Sequence, residues 1–170
     1  MNKEDCLKQI AETAYNIGFG AKKHFATFDI VSKVPGLIGF FSMVVGIYAL
    51  IFESLNTKFI SATLVILGIV GIYISLYDSK KDSYVQNGNL LIDLFNELKT
   101  LYRKVKSSTN PTNEHLEQLS LIEQRYTKIS NSHQILFSNW CAHYKFFWDD
   151  QIDRIDEQLN FKFIIDKIPL

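Results

Sequence analysis

Charge is absent from two long windows of this chain. No Asp, Glu, Lys or Arg occurs in "VPGLIGFFSMVVGIYALIF", Val34 to Phe52, or in "FISATLVILGIVGIYISLY", Phe59 to Tyr77, and six residues separate the two. An excess of one sign is missing as well. The 18 Lys and Arg balance 18 Asp and Glu, and no basic block exceeds the pairs Lys22-Lys23 and Lys80-Lys81. Such a chain has no electrostatic footprint for a phosphate backbone, which excludes nucleic acid as a partner. Cysteine is scarce: Cys6 and Cys141 lie far apart and outside the uncharged windows. They read as free thiols in a reducing compartment, not as a disulfide framework.

Motifs for chemistry are missing too. There is no HExxH, no paired CxxC and no Gly-rich phosphate loop, and His24, His115, His133 and His143 are scattered. No catalytic residue, metal ligand or cofactor site is therefore assigned, and the chain is not expected to be an enzyme. Asp149, Asp150, Asp153, Asp156 and Glu157 crowd one acidic run. With no nucleophile beside them they read as a solvated helical face.

The uncharged windows are the most specialised feature present. A core helix of a small soluble protein keeps one polar face, and neither window has one. Nineteen helical residues rise roughly 28 Å, close to the hydrocarbon thickness of a bilayer. Each window holds eleven Leu, Ile, Val or Phe residues, which favour insertion by about 3 to 6 kcal/mol before Gly, Pro and Ser subtract from it. Two membrane spans fit this better than a hairpin buried in a soluble bundle. A cleavable signal peptide fits poorly, because thirty-three residues carrying four acids precede Val34.

Lysines orient the spans. Lys22, Lys23 and Lys33 precede the first and Lys80 and Lys81 follow the second, against Lys58 alone in the connecting loop. These membrane-flanking charges put both termini in the cytoplasm. Tyr73 and Tyr77 are placed to anchor the cytoplasmic end of the second span.

Outside the spans the pattern is helical throughout, and the fold class is all-α: a two-transmembrane helical hairpin with a cytoplasmic amino-terminal helix and a carboxy-terminal helical bundle. Leu7, Ile10, Ala14, Ile17, Ala21, Phe28 and Val31 share one face, with His24 in the same spacing. Residues 1–33 form this amphipathic helix, and Pro35-Gly36 marks a boundary or kink with the first span. The hairpin occupies 34–77. Residues 78–170 form the cytoplasmic helical region, where Leu91, Leu94, Leu98, Leu101 and Val105 repeat the 3-4 spacing in a helix running on from Tyr77. The turn cluster "SSTNPTN", 107–113, separates it from a helix carrying Leu116, Leu119, Ile122, Tyr126 and Ile129, capped by Thr112 or Asn113. Large aromatics then crowd together, among them Phe137, Trp140, Tyr144, Phe147 and Trp148. They pack on the other helices, contact a partner or subunit, or line a pocket.

Within the spans, Gly39, Ser42, Gly46 and Ala49 make a ridge of small residues, as do Ser61, Gly68, Gly71 and Ser75. Such ridges let helices pack closely in lipid, where the hydrophobic effect does not drive association. They either face each other within the hairpin or join neighbouring subunits. Neither span carries an ionisable group, so a fixed ion site is not indicated.

The segment "YNIGFGAKKHF", Tyr15 to Phe25, followed by a tight two-span hairpin and a helical tail, resembles the SLATT family of SMODS- and SLOG-associating two-transmembrane effector domains. The resemblance rests on architecture, length and the region of Tyr15, Ala21, Lys22 and His24, and it carries no residue list to transfer. It implies a multi-pass effector in the bacterial inner membrane, acting in antiphage defence. Such effectors assemble as homo-oligomers that permeabilise the membrane when a nucleotidyltransferase-derived cyclic nucleotide or a SLOG-type sensor signals infection. A non-conducting, membrane-anchored interaction module is the other reading.

The lysine bias makes a direct prediction. A cysteine introduced as Asn56→Cys should react with an impermeant thiol reagent from outside sealed cells, while Cys6 and Cys141 stay unlabelled. Labelling of a native thiol would reverse the orientation.

Overall fold

The computed structural model describes residues 2–55, 57–129, 133–149 and 153–159, and every regular element among them is helical. Helix α1 spans Lys3–Ile51, 49 residues, and so extends about 70 Å. Its start is set locally: the Asn2 side chain accepts from the Asp5 amide at 2.7 Å, and Glu4 and Asp5 sit in the first turn, where the helix dipole favours them. Phe52 adopts an extended conformation and ends it. A short 3-10 turn at Glu53–Leu55 leads to α2, Lys58–Ser75, whose first turn is capped by Thr57.

Two expectations concern continuity. Helix α1 runs on through Pro35 with no break in its assignment. Proline costs one backbone hydrogen bond there, a loss that a helix anchored on both sides can carry. What changes near Pro35 is the surroundings, since Val31 is 3% exposed and Phe41 is 59% exposed. The second span, by contrast, does not continue straight into the next helix. A 3-10 turn at Asp78–Lys80 separates it from α3, Lys81–Ser107.

Helix α4 covers Asn113–Ile129, α5 Ser138–Asp149 and α6 Asp153–Leu159. Thr112 is the α4 cap, its hydroxyl accepting from the His115 amide at 3.4 Å. The first half of α1 and the whole of α3 form the antiparallel centre of the bundle. Lys3 donates to the carbonyls of Lys106 and Ser108 at one end, and Gly88 lies under the Phe25 ring toward the other. The 3-4 series Leu91, Leu94, Leu98, Leu101 and Val105 is buried, facing Cys6, Ile10, Ala14, Ile17 and Ala21 of α1. Each Leu, Ile or Val among them contributes about 1.5 to 3 kcal/mol when removed from water, and each Ala less.

Helix α4 returns along α3, fixed by Arg125 on Glu97 at 2.8 Å, and reaches α1 through Glu123, which accepts from Gln9 and Thr13. Helices α5 and α6 close another side of the α1–α3 pair. Phe146, 1% exposed, meets Tyr15 edge-on at 5.3 Å, and Ile155 joins the same core. The acidic run thus contributes Glu157 to an ion pair with Lys106 at 2.7 Å, while Asp150 lies outside the described residues.

Gly18 explains how α5 comes so close to α1. A Cβ there would stand 2.9 Å from the Phe146 ring and 3.1 Å from the Phe95 ring. Gly18→Leu should therefore destabilise the bundle by about 1 to 3 kcal/mol, the usual cost of overpacking. Thermal denaturation of the detergent-solubilised protein would measure it, and an unchanged midpoint would mean that α5 does not pack as described.

Candidate functional site: the hairpin and its junction with the bundle

The hairpin wears its apolar side chains outward. Leu50 is 88% exposed, Phe59 80% and Ile72 67%, and among the residues of α2 only Ile74 is buried. Monomeric soluble proteins rarely leave so continuous an apolar surface to water. The hairpin is not buried within the chain, and a bilayer is the solvent that fits.

The seam between the spans is aliphatic. On α2 the residues drawn out of solvent are Ile60, Leu64, Leu67, Gly71 and Ile74, in strict 4-3-4-3 spacing, while Ser61, Gly68 and Ser75 are exposed. On α1, Ser42, Gly46 and Ala49 are half-buried and Gly39 is exposed. A Cβ added at Gly39, Gly46, Gly68 or Gly71 would meet nothing within 4 Å. Within one chain the small ridges are divided: Ser42, Gly46, Ala49 and Gly71 are half-buried, while Gly39, Ser61, Gly68 and Ser75 are exposed. The hydroxyls of Ser61 and Ser75 bond to their own helix, at Thr57 and Ile72 carbonyls. That satisfies them in hydrocarbon.

At its inner end the hairpin is tied to the bundle through a second apolar cluster. Val31 of α1, Ile74 of α2 and Ile135 before α5 are buried together, with Ile30, Val34 and Tyr77 packed on them. Polar ties surround this knot. Thr27, fully buried, donates to Gln134 Oε1 at 2.5 Å, and Tyr84 donates to the His133 carbonyl at 2.8 Å. Asp29 binds Lys33 at 2.5 Å and also pairs with Lys145 of α5. Burial pushes the Asp29 carboxyl up, yet hydrogen bonds from Lys145 and Lys33 outweigh it and hold the group below the ordinary range. Sequence reading found the 3-4 face that contains Val31 but missed Asp29, Thr27, Tyr84 and Ile135 as a unit. Tyr84 alone had a signal, since it extends the Tyr84, Leu91, Leu98 spacing backwards.

The flanking lysines separate into two groups. Lys33, Lys80 and Lys81 stand at the inner ends of the spans, Lys81 paired with Asp78 at 3.1 Å. Lys22 and Lys23 lie eleven or more residues before Val34, roughly 16 Å deeper in the bundle along the helix. Lys23 there borders a cleft with Phe19, Leu91 and Tyr126. The aromatics divide similarly: Phe137, Trp140 and Tyr144 are exposed, whereas Phe147 packs on Phe146 at 5.2 Å; the Trp148 side chain lies outside the described residues. An open groove of about 680 Å³ between α3 and α4 is lined by Asp93, Glu97, Lys104 and Arg125 among others. Its charges are mixed, and Arg125 is held by Glu97, so it does not concentrate positive charge for an anion.

His24 supplies a pH-sensitive element to the junction. It is 2% exposed and lies beside the Tyr84 ring at 6.0 Å. Burial, reinforced by neighbouring Lys23, lowers its pKa to about 4. On acidification the unfolded chain takes up this proton near pH 6.5, but the folded chain does not until about pH 4. Stability should therefore fall as pH drops through that window, by roughly 3 kcal/mol at most. His24→Gln should flatten this part of the stability profile; an unchanged profile would show that the histidine protonates in place.

All of residues 1–170 match the family described as SMODS and SLOG-associating 2TM effector domain 6. No curated protein and no solved structure gives a significant match. The match extends over both spans and the bundle that grips them, and the chain belongs to the SLATT family of two-transmembrane effector domains.

Proposed function

We propose that this protein is the membrane-permeabilising output of a bacterial defence system, with the helical bundle as receiver and the hairpin as effector. One observation carries the reading: α1 is a single helix that runs from the centre of the bundle core to the far end of the first span. Any rotation or tilt imposed on the bundle is delivered to the span without a flexible joint.

Two helices cannot enclose water, so a path through the bilayer requires several copies. The outward ridge of Ser61, Gly68 and Ser75, open to close approach, suits contact between hairpins. The uncharged walls favour gating by dewetting and widening over a fixed ion site. Both termini lie in the cytoplasm in this reading, with the hairpin in the inner membrane. Domain boundaries then follow the change of solvent: 1–33 and 78–170 serve reception and 34–77 serves output. The input is a cyclic nucleotide made by a partner nucleotidyltransferase, or a SLOG-type sensor, acting on the cytoplasmic face. A binding free energy of a few kcal/mol is enough to shift a closed assembly to an open one when the two packings are nearly equal in energy.

Purified protein in liposomes should hold a trapped dye at rest and release it when the activating partner is added. Gly68→Leu, whose side chain would meet nothing within its own chain, should leave the monomer's thermal stability intact while weakening assembly and release. If an oriented wild-type preparation stays tight under conditions that trigger the cellular response, the hairpin is an anchor and the protein a non-conducting interaction module.

A further inference from the structure

We propose that the corner preceding α5 is a third point of membrane contact, a foot formed by Leu136, Phe137 and Trp140 that rests in the interfacial layer of the bilayer. The inference rests on the hairpin crossing the membrane and is independent of whether it conducts.

The corner's position follows from its contacts. Ile135 is buried against Val31, three residues before the first uncharged window, and against Ile74, which lies inside the second. The chain at Ile135 therefore touches the inner end of both spans. Ties on either side hold it there, through Tyr84 to the His133 carbonyl and Thr27 to Gln134. The residues that follow immediately are turned away from the protein. Leu136 is 63% exposed, Phe137 71% and Trp140 57%. Phe137 has a φ of 66°, in the left-handed region that bulky residues avoid. That conformation belongs to the turn in which the Ser138 amide donates to the Ile135 carbonyl at 3.1 Å, and it leaves the Phe137 ring exposed.

In the headgroup layer the same arrangement is favourable. Leu and Phe reach the acyl boundary, and Trp sets an apolar body against lipid with its N–H toward water, which is why aromatic belts mark membrane interfaces. Tyr77 packs on the same cluster and its ring meets that of Tyr73 at 5.7 Å, so a second pair of aromatic side chains lies at this end of the hairpin. Lys33 lies two residues past Val31 and Lys80 three past Tyr77 in the chain, where basic side chains suit lipid phosphates. Tyr144 lies one turn beyond Trp140 on α5, which descends along α1 into the bundle, so it is not part of the foot. Because it joins α5 to lipid, the foot gives the bundle a hold on the membrane that is separate from α1.

Tryptophan fluorescence tests this. The chain has two Trp residues, so Trp148→Phe leaves Trp140 alone. The full-length variant would be reconstituted in phosphatidylcholine vesicles carrying bromine at shallow or deep acyl positions. Trp140 emission should be blue-shifted relative to aqueous Trp and lose more intensity to shallow bromines than to deep ones, at every protein-to-lipid ratio. Emission untouched by bromine but freely quenched by aqueous acrylamide would place the corner in water. Protection from acrylamide that appears only at high protein density, without bromine quenching, would assign the surface to a second copy; a deep-weighted profile would place it in the hydrocarbon. Each of these three results overturns the proposal. Should Trp148→Phe fail to fold, Phe137→Cys in a Cys141→Ser background, labelled with a polarity-sensitive dye, reads the same depth, since Cys6 is 0% exposed and does not compete for the label. None of these readouts depends on whether the vesicles leak.

Discussion

One helix has to satisfy two solvents, and the remaining structure is arranged around that demand. Over its first thirty residues α1 meets side chains from α3, α4, α5 and α6, and is held by the hydrophobic effect in water. Beyond Pro35 its surface is apolar on all sides and is stable only where the surroundings are apolar too. Hydrogen bonding along the helix is the same in both halves, because a continuous helix satisfies its backbone in either solvent. The proline is tolerated because both flanks are independently secured.

The junction between these halves combines apolar packing with neutral and charged ties. Val31, Ile74 and Ile135 are drawn from three places in the chain, so movement of any one of α1, α2 or the corner before α5 disturbs the others. Asp29 connects Lys33 on its own helix with Lys145 on α5. Such an arrangement resists small displacement but offers discrete alternatives, since packed interfaces shift between arrangements more readily than they stretch. Orientation deserves one refinement: Cys6 is 0% exposed, so it stays silent to thiol reagents on either side, and Cys141, which is partly accessible, is the informative native thiol.

Much of the fold was legible in the residues. The helix faces carrying Ile10, Ala14 and Ile17, and Leu91 to Val105, were written in 3-4 spacing that a one-dimensional reading detects. The spans were legible from the absence of charge. Less legible was how the aromatic stretch divides. Phe146 and Phe147 enter the core and Trp140 does not, although all are large and all sit within eight residues. The helix phase that decides this depends on where α5 begins, and that is set by the turn at Phe137 and the anchoring of Ile135, neither of which has a local signal. The ridges show the same limit. Gly39 to Ala49 and Ser61 to Ser75 read as partners within the hairpin or as contacts between subunits, and the half-buried stripe on α2 is Ile60, Leu64, Leu67, Gly71 and Ile74, which takes in Gly71 and leaves Gly68 outward. Spacing identifies a stripe but not which of two adjacent stripes faces the neighbour.

Sequence by itself determined the solvent of each segment, because transfer free energy is a sum over side chains and needs no partner to be evaluated. It likewise determined which residues could share a helical face, since that depends only on the 3.6-residue period. Tertiary structure decided what those faces meet: that Gly18 admits Phe146, that His24 lies beside Tyr84, and that residues as distant as Val31 and Ile135 form one knot at the membrane. Contacts across a hundred positions depend on the angles of several helices at once, and no window of the chain contains that information.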